Sequence, residues 1–334
     1  MPPASAHDIL PAAPARFLVT GGAGFIGSAL VRALLARGQR VRVVDDFSTG
    51  LRQNLAEVAD QIDLIEGDLV QPSLCRAAVR DVDYVLHQAA IPSVPRSIQA
   101  PLRTHEANVT ATLNLLLAAR DAGCRRLVYA SSSSVYGNSE VLPKVETLPP
   151  RPRSPYAVSK YAAEQYALLF NDIYGFETVA LRYFNIFGPR QNGHSPYSGV
   201  LSLWMAAAMA GEPLTVHGDG KQSRDFTFVE NAVEANLLAC MASDAPGLAI
   251  NVGAGGRHTL LDVINALEEA LGTRVTLRHA EPRPGDVRHS QADISQAHTV
   301  LGYVPRVSFS EGLKRTLAWW REQAEPVALE VEWT

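Results

Sequence analysis

Tyr156 and Lys160 stand four residues apart in the run Tyr-Ala-Val-Ser-Lys-Tyr-Ala-Ala-Glu that follows Pro155. On a helix this spacing puts a phenol and an ammonium on one face. The ammonium favours the phenolate, drawing the tyrosine from its ordinary value of about 10 towards working pH, where it can act as general base and acid. A second hydroxyl source is the four-serine run 131–134, which leaves the apolar segment 127–130. A serine there can donate to or accept from a substrate alcohol. Four serines also make an ordinary polar turn, so one or two suffice for function. Alone, the Tyr/Lys pair reads equally well as a surface tyrosine beside a solvated lysine.

What changes that weighing lies upstream. Gly21, Gly24 and Gly27, with Phe25 and Ile26 between them, join an apolar strand to an amphipathic helix. Glycines in that context let a backbone approach a pyrophosphate, and the helix start offers free N–H groups and a positive dipole end. Asp45 follows about twenty residues later at the end of the second strand, where a carboxylate accepts hydrogen bonds from both ribose hydroxyls of NAD and repels a 2′-phosphate. Asp46 reads as a loop cap, and Arg42 points along its strand. Asp68 and Leu69 close the third strand at the adenine edge. Gln88, Ala89 and Ala90 close the fourth with small residues that let a cofactor lie near.

These residues need a scaffold that gathers strand ends. From Arg16 the chain alternates short apolar runs, at 17–20, 41–44, 62–66, 84–86, 127–130 and 179–182, with amphipathic stretches. That is the pattern of an α/β fold, a Rossmann-type doubly wound parallel sheet with helices on both faces. Leu30, Leu34 and Leu35 mark one helix ending at Gly38; Leu113, Leu116 and Leu117 mark another ending near Gly123. After Pro189 the alternation gives way to a smaller C-terminal α/β unit. We expect a tail over 1–15, a dinucleotide-binding domain over 16–190 with return segments at about 231–253, and a substrate domain over 191–230 and 254–334. The last helix runs near 310–323, with Leu313, Leu317 and Trp320 at core spacing.

Size and charge narrow the alternatives. At 334 residues and 47% hydrophobic content, one large domain with an appended smaller one is expected. A net charge of −4 without any basic run gives no field for nucleic acid. No apolar segment approaches the ~18 residues needed to span a bilayer, so we expect a soluble cytoplasmic protein. The first fifteen residues lack the pattern of a secretion signal. Cys75, Cys124 and Cys240 form neither a disulfide framework nor a metal site, and no metal is expected.

Taken in order, TGGAGFIG, VDDFSTG, GDL, HQAA, SSSSVYG, SPYAVSK, LRYFN, SRDF and RPGD resemble the extended short-chain dehydrogenase/reductase family, specifically its UDP-hexose 4-epimerases. The likeness runs from about Arg16 to the end, and is nearest to UDP-N-acetylglucosamine 4-epimerases of bacterial polysaccharide pathways. It implies that Tyr156 takes the proton from the sugar 4-hydroxyl, that Lys160 tunes it and holds the nicotinamide ribose, and that Ser132 hydrogen-bonds the same hydroxyl. Hydride passes from C4 to NAD, the 4-keto sugar turns over, and hydride returns to its opposite face. The resemblance further implies Asn108 and Tyr183 near the cofactor. Ser93, Ser133, Asn185, Gly199 and Val200 fall around the substrate, and Arg224, Arg283 and Asp286 hold its phosphates and uridine ribose. Two arginines against a diphosphate are chemically apt; the plain alternative for Arg224 is a salt bridge with Asp225. A homodimer through helices near 104–122 and 156–174 is also implied.

Departures from relatives of the same fold refine the reading. Relatives that eliminate water carry an Asp-Glu pair, and sugar-acid decarboxylases a Glu, where this chain has Ser133 and Ser134. Ser290 occupies the position that gates the sugar pocket, where a small residue admits N-acetyl groups and a tyrosine excludes them. Together with Gly199 it favours UDP-GlcNAc/UDP-GalNAc, with UDP-Glc/UDP-Gal as second substrates. Pro92 stands where the N-acetylhexosamine epimerases have glycine, which leaves UDP-glucose or UDP-glucuronate open. A different class of reading is a non-catalytic NAD-binding sensor, which would have no need of Tyr156, Lys160 and Ser132.

Overall fold

The computed structural model describes residues 10–11, 13–193, 199–281 and 287–324. Six strands come first in the chain: β1 (Arg16–Thr20), β2 (Arg40–Asp45), β3 (Ile62–Glu66), β4 (Tyr84–His87), β5 (Arg126–Ser132) and β6 (Glu177–Tyr183). With the strand Ala249–Val252 they form one sheet in the order Ala249–Val252, β6, β5, β4, β1, β2, β3. Every pairing within it is parallel. The six strands expected from sequence all lie within these elements.

Alternation along β1 shows how the sheet sorts its two faces. Phe17 and Val19 join a core with Leu30 and Leu34 of the helix Phe25–Leu35 and with Ala232 and Leu238 of the helix Val229–Met241. Leu18, on the other face, packs with Leu115 and Leu116 of the helix Ala111–Asp121 and with Ala163, Ala167 and Phe170 of the helix Pro155–Tyr174. The cysteines sit inside these layers as small apolar groups, and burial pushes all three thiols up to about 12. Among the described residues, no helix is long and apolar enough to cross a membrane.

β1 is flanked by β2 on one side and β4 on the other, with Thr20 in register with both Val44 and His87. Chain connections leave β1 in opposite directions at that point, which opens a crevice at the carboxyl ends of the strands. A third core lies beyond the sheet, where Trp204, Leu214, Val216, Val263, Leu267, Leu313 and Leu317 surround Phe187, Phe226, Phe228 and Phe309. Those four phenylalanines meet at ring separations of 5.5 to 6.4 Å. The helix Phe309–Ala324 covers this core.

Candidate active site

The turn after β1 is built around its glycines. Gly21 has φ +65°, and a Cβ there would lie 2.8 Å from the backbone of Ala89. At Gly27 a Cβ would lie 2.1 Å from the carbonyl oxygen of Gly21, so the helix packs on the turn only without a side chain. Gly21 N–H donates to Val44 O and Gly24 N–H to Gly21 O, which fixes the loop. Gly24 caps the helix with no side-chain hydrogen bond, leaving first-turn amides for an anion.

That turn forms one wall of a cavity of about 520 Å³ at the crevice. Gly21, Gly24, Phe25, Ile26, Gly27, Asp45, Asp68, Leu69, Gln88, Ala89, Ala90, Ser93, Ser132, Tyr156, Lys160, Tyr183, Asn185 and Gly199 all line it. Residues expected from the beginning and the middle of the chain thus meet in one chamber. Asp45 is held ready there: its carboxylate accepts from Ala23 N–H at 2.9 Å and Phe47 N–H at 2.8 Å, keeping further lone pairs. Asp46 caps its loop by accepting from Ser48, and Arg42 is engaged with Asp63. Asp68 pairs with Arg103 at 3.0 Å. Tyr183 and Gln88 are tied together through Asn236.

The opposite wall is the helix Pro155–Tyr174. Ser154 caps it by accepting from Ala157 N–H, Pro155 fills its first position, and Gly175, at φ +63°, ends it. Tyr156 and Lys160 share the face turned to the sheet. Ser132, last residue of β5, stands beside the Tyr156 phenol and accepts from Ser134 N–H and Oγ. The Lys160 ammonium lies 4.6 Å from the centre of the Tyr129 ring. Burial pushes Lys160 down to about 7, opposed by Glu164. In the protein without its cofactor, burial raises the Tyr156 phenol, and the neighbouring Ser132 opposes the rise.

Five expected site residues do not line the cavity. Asn108 sits in a π-helical segment, Glu106–Thr110, where it accepts from Ile91 N–H at 2.8 Å and donates to Ser159 Oγ at 2.9 Å. It braces the wall from behind, joining the loop after β4 to the helix of Tyr156. Ser133 opens the 3₁₀ turn Ser133–Tyr136. Val200 begins the helix Val200–Met209, with Gly199 at its cap. Ser290 is buried, its N–H donating to Ser223 O. The Arg224 guanidinium donates to Ser223 O at 3.0 Å and to Arg288 O at 3.4 Å. Asp225, its sequence neighbour, is buried and accepts from the backbone of Ala254, Gly255 and Ala292. Arg283 and Asp286 lie outside the described residues.

Other lining residues were not anticipated. Arg96, Arg190, Gln191 and Asn192 face the cavity; Arg190 has φ +68° and shares Glu57 with Arg32. Beneath the site, Glu164 and Arg182 form a fully buried ion pair. The repeat of Tyr156, Lys160 and Glu164 at four-residue steps was the available signal.

Residues 17–253 match the NAD dependent epimerase/dehydratase family. The chain belongs to that family. NAD is its cofactor, and the glycine turn, with no room for a Cβ at Gly21 or Gly27, and the Asp45 carboxylate fit that dinucleotide. The chain is 36% identical to the UDP-glucose 4-epimerase of Mycolicibacterium smegmatis, over 93% of its own length and 100% of the relative's. It superposes with TM-score 0.88 and 36% identity on a UDP-N-acetylglucosamine 4-epimerase from Methanobrevibacter ruminantium in complex with UDP-N-acetylmuramic acid, covering 93% and 99% of the two chains. A UDP-glucose 4-epimerase from Thermus thermophilus in complex with NAD gives 0.84 and 39%, covering 92% and 99%.

Proposed function

We propose that the protein is an NAD-dependent 4-epimerase of a UDP-hexose, acting on UDP-GlcNAc/UDP-GalNAc and also on UDP-Glc/UDP-Gal. The observation that carries this reading is the meeting of Ser132, Tyr156 and Lys160 in the cavity that the glycine turn lines. Bound there, NAD supplies a reversible hydride acceptor. The chain's own work is acid–base. As the sugar C4–O bond becomes a carbonyl, Tyr156 takes the hydroxyl proton; when the alcohol re-forms on the other face, Tyr156 returns it. Ser132 holds the same oxygen, and Lys160 stabilises the phenolate and grips the nicotinamide ribose. Gln88, Ala89, Asp68 and Leu69 define the rest of the cofactor bed.

The nucleotide end is assigned to Asn185, Arg224, Arg283 and Asp286, and the sugar to Ser93, Ser133, Gly199, Val200 and Ser290. In this reading the dinucleotide occupies the unit 16–190 with 231–253, and the nucleotide sugar the unit 191–230 with 254–334. Ser133 and Ser134 supply no carboxyl for elimination or decarboxylation. The small side chain of Ser290, where relatives of the same fold that exclude N-acetyl groups carry a tyrosine, supports the N-acetyl substrate in this reading, and the M. ruminantium epimerase is in complex with UDP-N-acetylmuramic acid. The reading without N-acetyl preference draws on Pro92, which lines the cavity and stiffens its loop. Incubation with UDP-GlcNAc and UDP-glucose separately, without added NAD, tests the proposal: 4-epimers are expected from both, and none from either refutes it.

A homodimer accompanies this reading. Ile98, Leu102, Val158, Leu169 and Ile173 are exposed apolar residues on the helices Val94–Gln99, Pro101–His105 and Pro155–Tyr174, and a second copy is the occupant that suits them. Light scattering should give twice the chain mass, and Leu102→Glu should halve it.

A further inference from the structure

Glu164 is fully buried on the helix Pro155–Tyr174, one turn beyond Lys160. Its carboxylate accepts from Arg182 Nη2 at 2.7 Å, from Arg182 Nε at 3.0 Å and from Ser131 Oγ at 2.6 Å. Ser131 precedes Ser132 on β5, and Arg182 comes from β6. Arg182 also donates to the Tyr136 hydroxyl at 2.8 Å, which donates to Asn251 Oδ1 at 2.7 Å. The pair therefore ties three neighbouring strands to the helix that carries the acid–base residues.

As a cross-link alone, such a pair is poorly chosen, because well-packed apolar residues hold elements together without removing two charges from water. Its placement beside a buried ammonium gives it another use. We propose that Glu164 is a positioning residue of the proton relay, supplying the counter-charge that keeps Lys160 an ammonium while Arg182 and Ser131 hold that carboxylate in place. This rests on the epimerase reading only for the assay of turnover.

The surroundings leave the task to Glu164. Lys160 faces Tyr156 and Glu164 on its own helix, Tyr129 on β5 and His87 on β4. His87 is neutral, held near 3 by burial, and the Tyr129 phenol is raised well above its ordinary value. Glu164 in turn faces Lys160, Tyr129, Ser131 and Arg182, with Tyr136 and Glu146 behind Arg182. Taking the charge from Glu164 leaves two buried cations, Lys160 and Arg182, without the carboxylate that both face. The ammonium, whose ordinary value burial already lowers, then gives up its proton at still lower pH. Tyr156 loses the charge that favours its phenolate.

The test is Glu164→Gln, which keeps the shape and removes the charge, measured as holoenzyme. We expect the alkaline limb of kcat against pH to move down by about one unit or more, with KM for the UDP-sugar little changed. Independently of turnover, the Lys160 ammonium, followed by NMR in lysine-labelled protein with the same variant carrying Lys160→Met subtracted, should lose its proton at lower pH than in wild type. Glu164→Asp retains the charge and should restore the wild-type limb even where its rate is lower. A Glu164→Gln protein that folds, keeps its cofactor and has both wild-type profiles overturns the proposal. If Glu164→Gln does not fold, a displaced alkaline limb in Glu164→Asp overturns it instead. A wild-type protein inactive on every UDP-sugar defeats the epimerase reading, while the lysine titration still decides this one.

Discussion

Gly27→Ala isolates the steric part of the cofactor turn, because Gly27 sits in a helix where alanine is otherwise welcome. The added Cβ would lie 2.1 Å from Gly21 O, 2.8 Å from Gly21 C and 2.9 Å from Gly22 Cα, all backbone atoms. No side chain can swing away, so the turn must move off the helix. Overpacking commonly costs about 1–3 kcal/mol, and a backbone clash belongs at the upper end, ~3 kcal/mol. At roughly 2–4 °C per kcal/mol, the melting temperature falls by about 6 °C or more, and loss of bound NAD adds to it. Gly38→Ala is the control: φ is +70° and nothing lies within 4 Å of its Cβ, so it costs only the left-handed strain, ~1 kcal/mol. Thermal unfolding and quantitation of cofactor released on denaturation read both effects. Gly38→Ala should retain NAD and melt slightly lower; Gly27→Ala should melt much lower and carry little. Equal NAD content and equal melting in the two variants would refute the steric account of the turn.

Tyr156→Phe should remove turnover while leaving bound NAD in place, read by product assay and by cofactor release; undiminished turnover would refute Tyr156 as the acid–base residue. Ser290→Tyr should lower kcat/KM for UDP-GlcNAc about tenfold or more while sparing UDP-glucose, measured by competition between the two sugars. The acid side of stability should bear the mark of His87. Its Nδ1 accepts from Thr20 Oγ1, and Nε2–H donates to Thr112 Oγ1, which itself donates to Asn108 O, so the ring is assigned as neutral. With its folded value near 3 against 6.5 unfolded, the unfolded chain binds the proton first, and stability falls as pH drops through that window, by up to about 1.4 kcal/mol per unit. Asp225, raised from 3.8 to about 6, acts in the opposite sense between those values. Chemical denaturation from pH 7 to pH 4 should therefore show a slope that His87→Gln reduces; an unchanged slope would contradict the assignment.

Much of the frame was legible because most strands of the sheet are buried on both faces and read as apolar runs, and because a glycine turn and its helix are encoded locally. Asp45 and Gln88 could be placed by counting from strand ends. What was hidden depends on separation in sequence. Nothing in residues 164 and 182 taken singly marks a buried pair, since Glu and Arg are ordinarily exposed. Asn108 fell behind the wall because a π-helical turn rotates it towards Ile91 and Ser159, and a helical spacing rule contains no such turn. Spacing likewise shows that Tyr156 and Lys160 are near each other and not how completely both groups leave water.

The central claim is reversible oxidation at C4 with the hydrogen kept inside the site. Its most direct test is a UDP-hexose deuterated at C4, incubated with the protein as purified and no added NAD, with the product examined by NMR. The account predicts the 4-epimer with deuterium still on C4. Absence of the epimer, or an epimer carrying solvent hydrogen at C4, would contradict it.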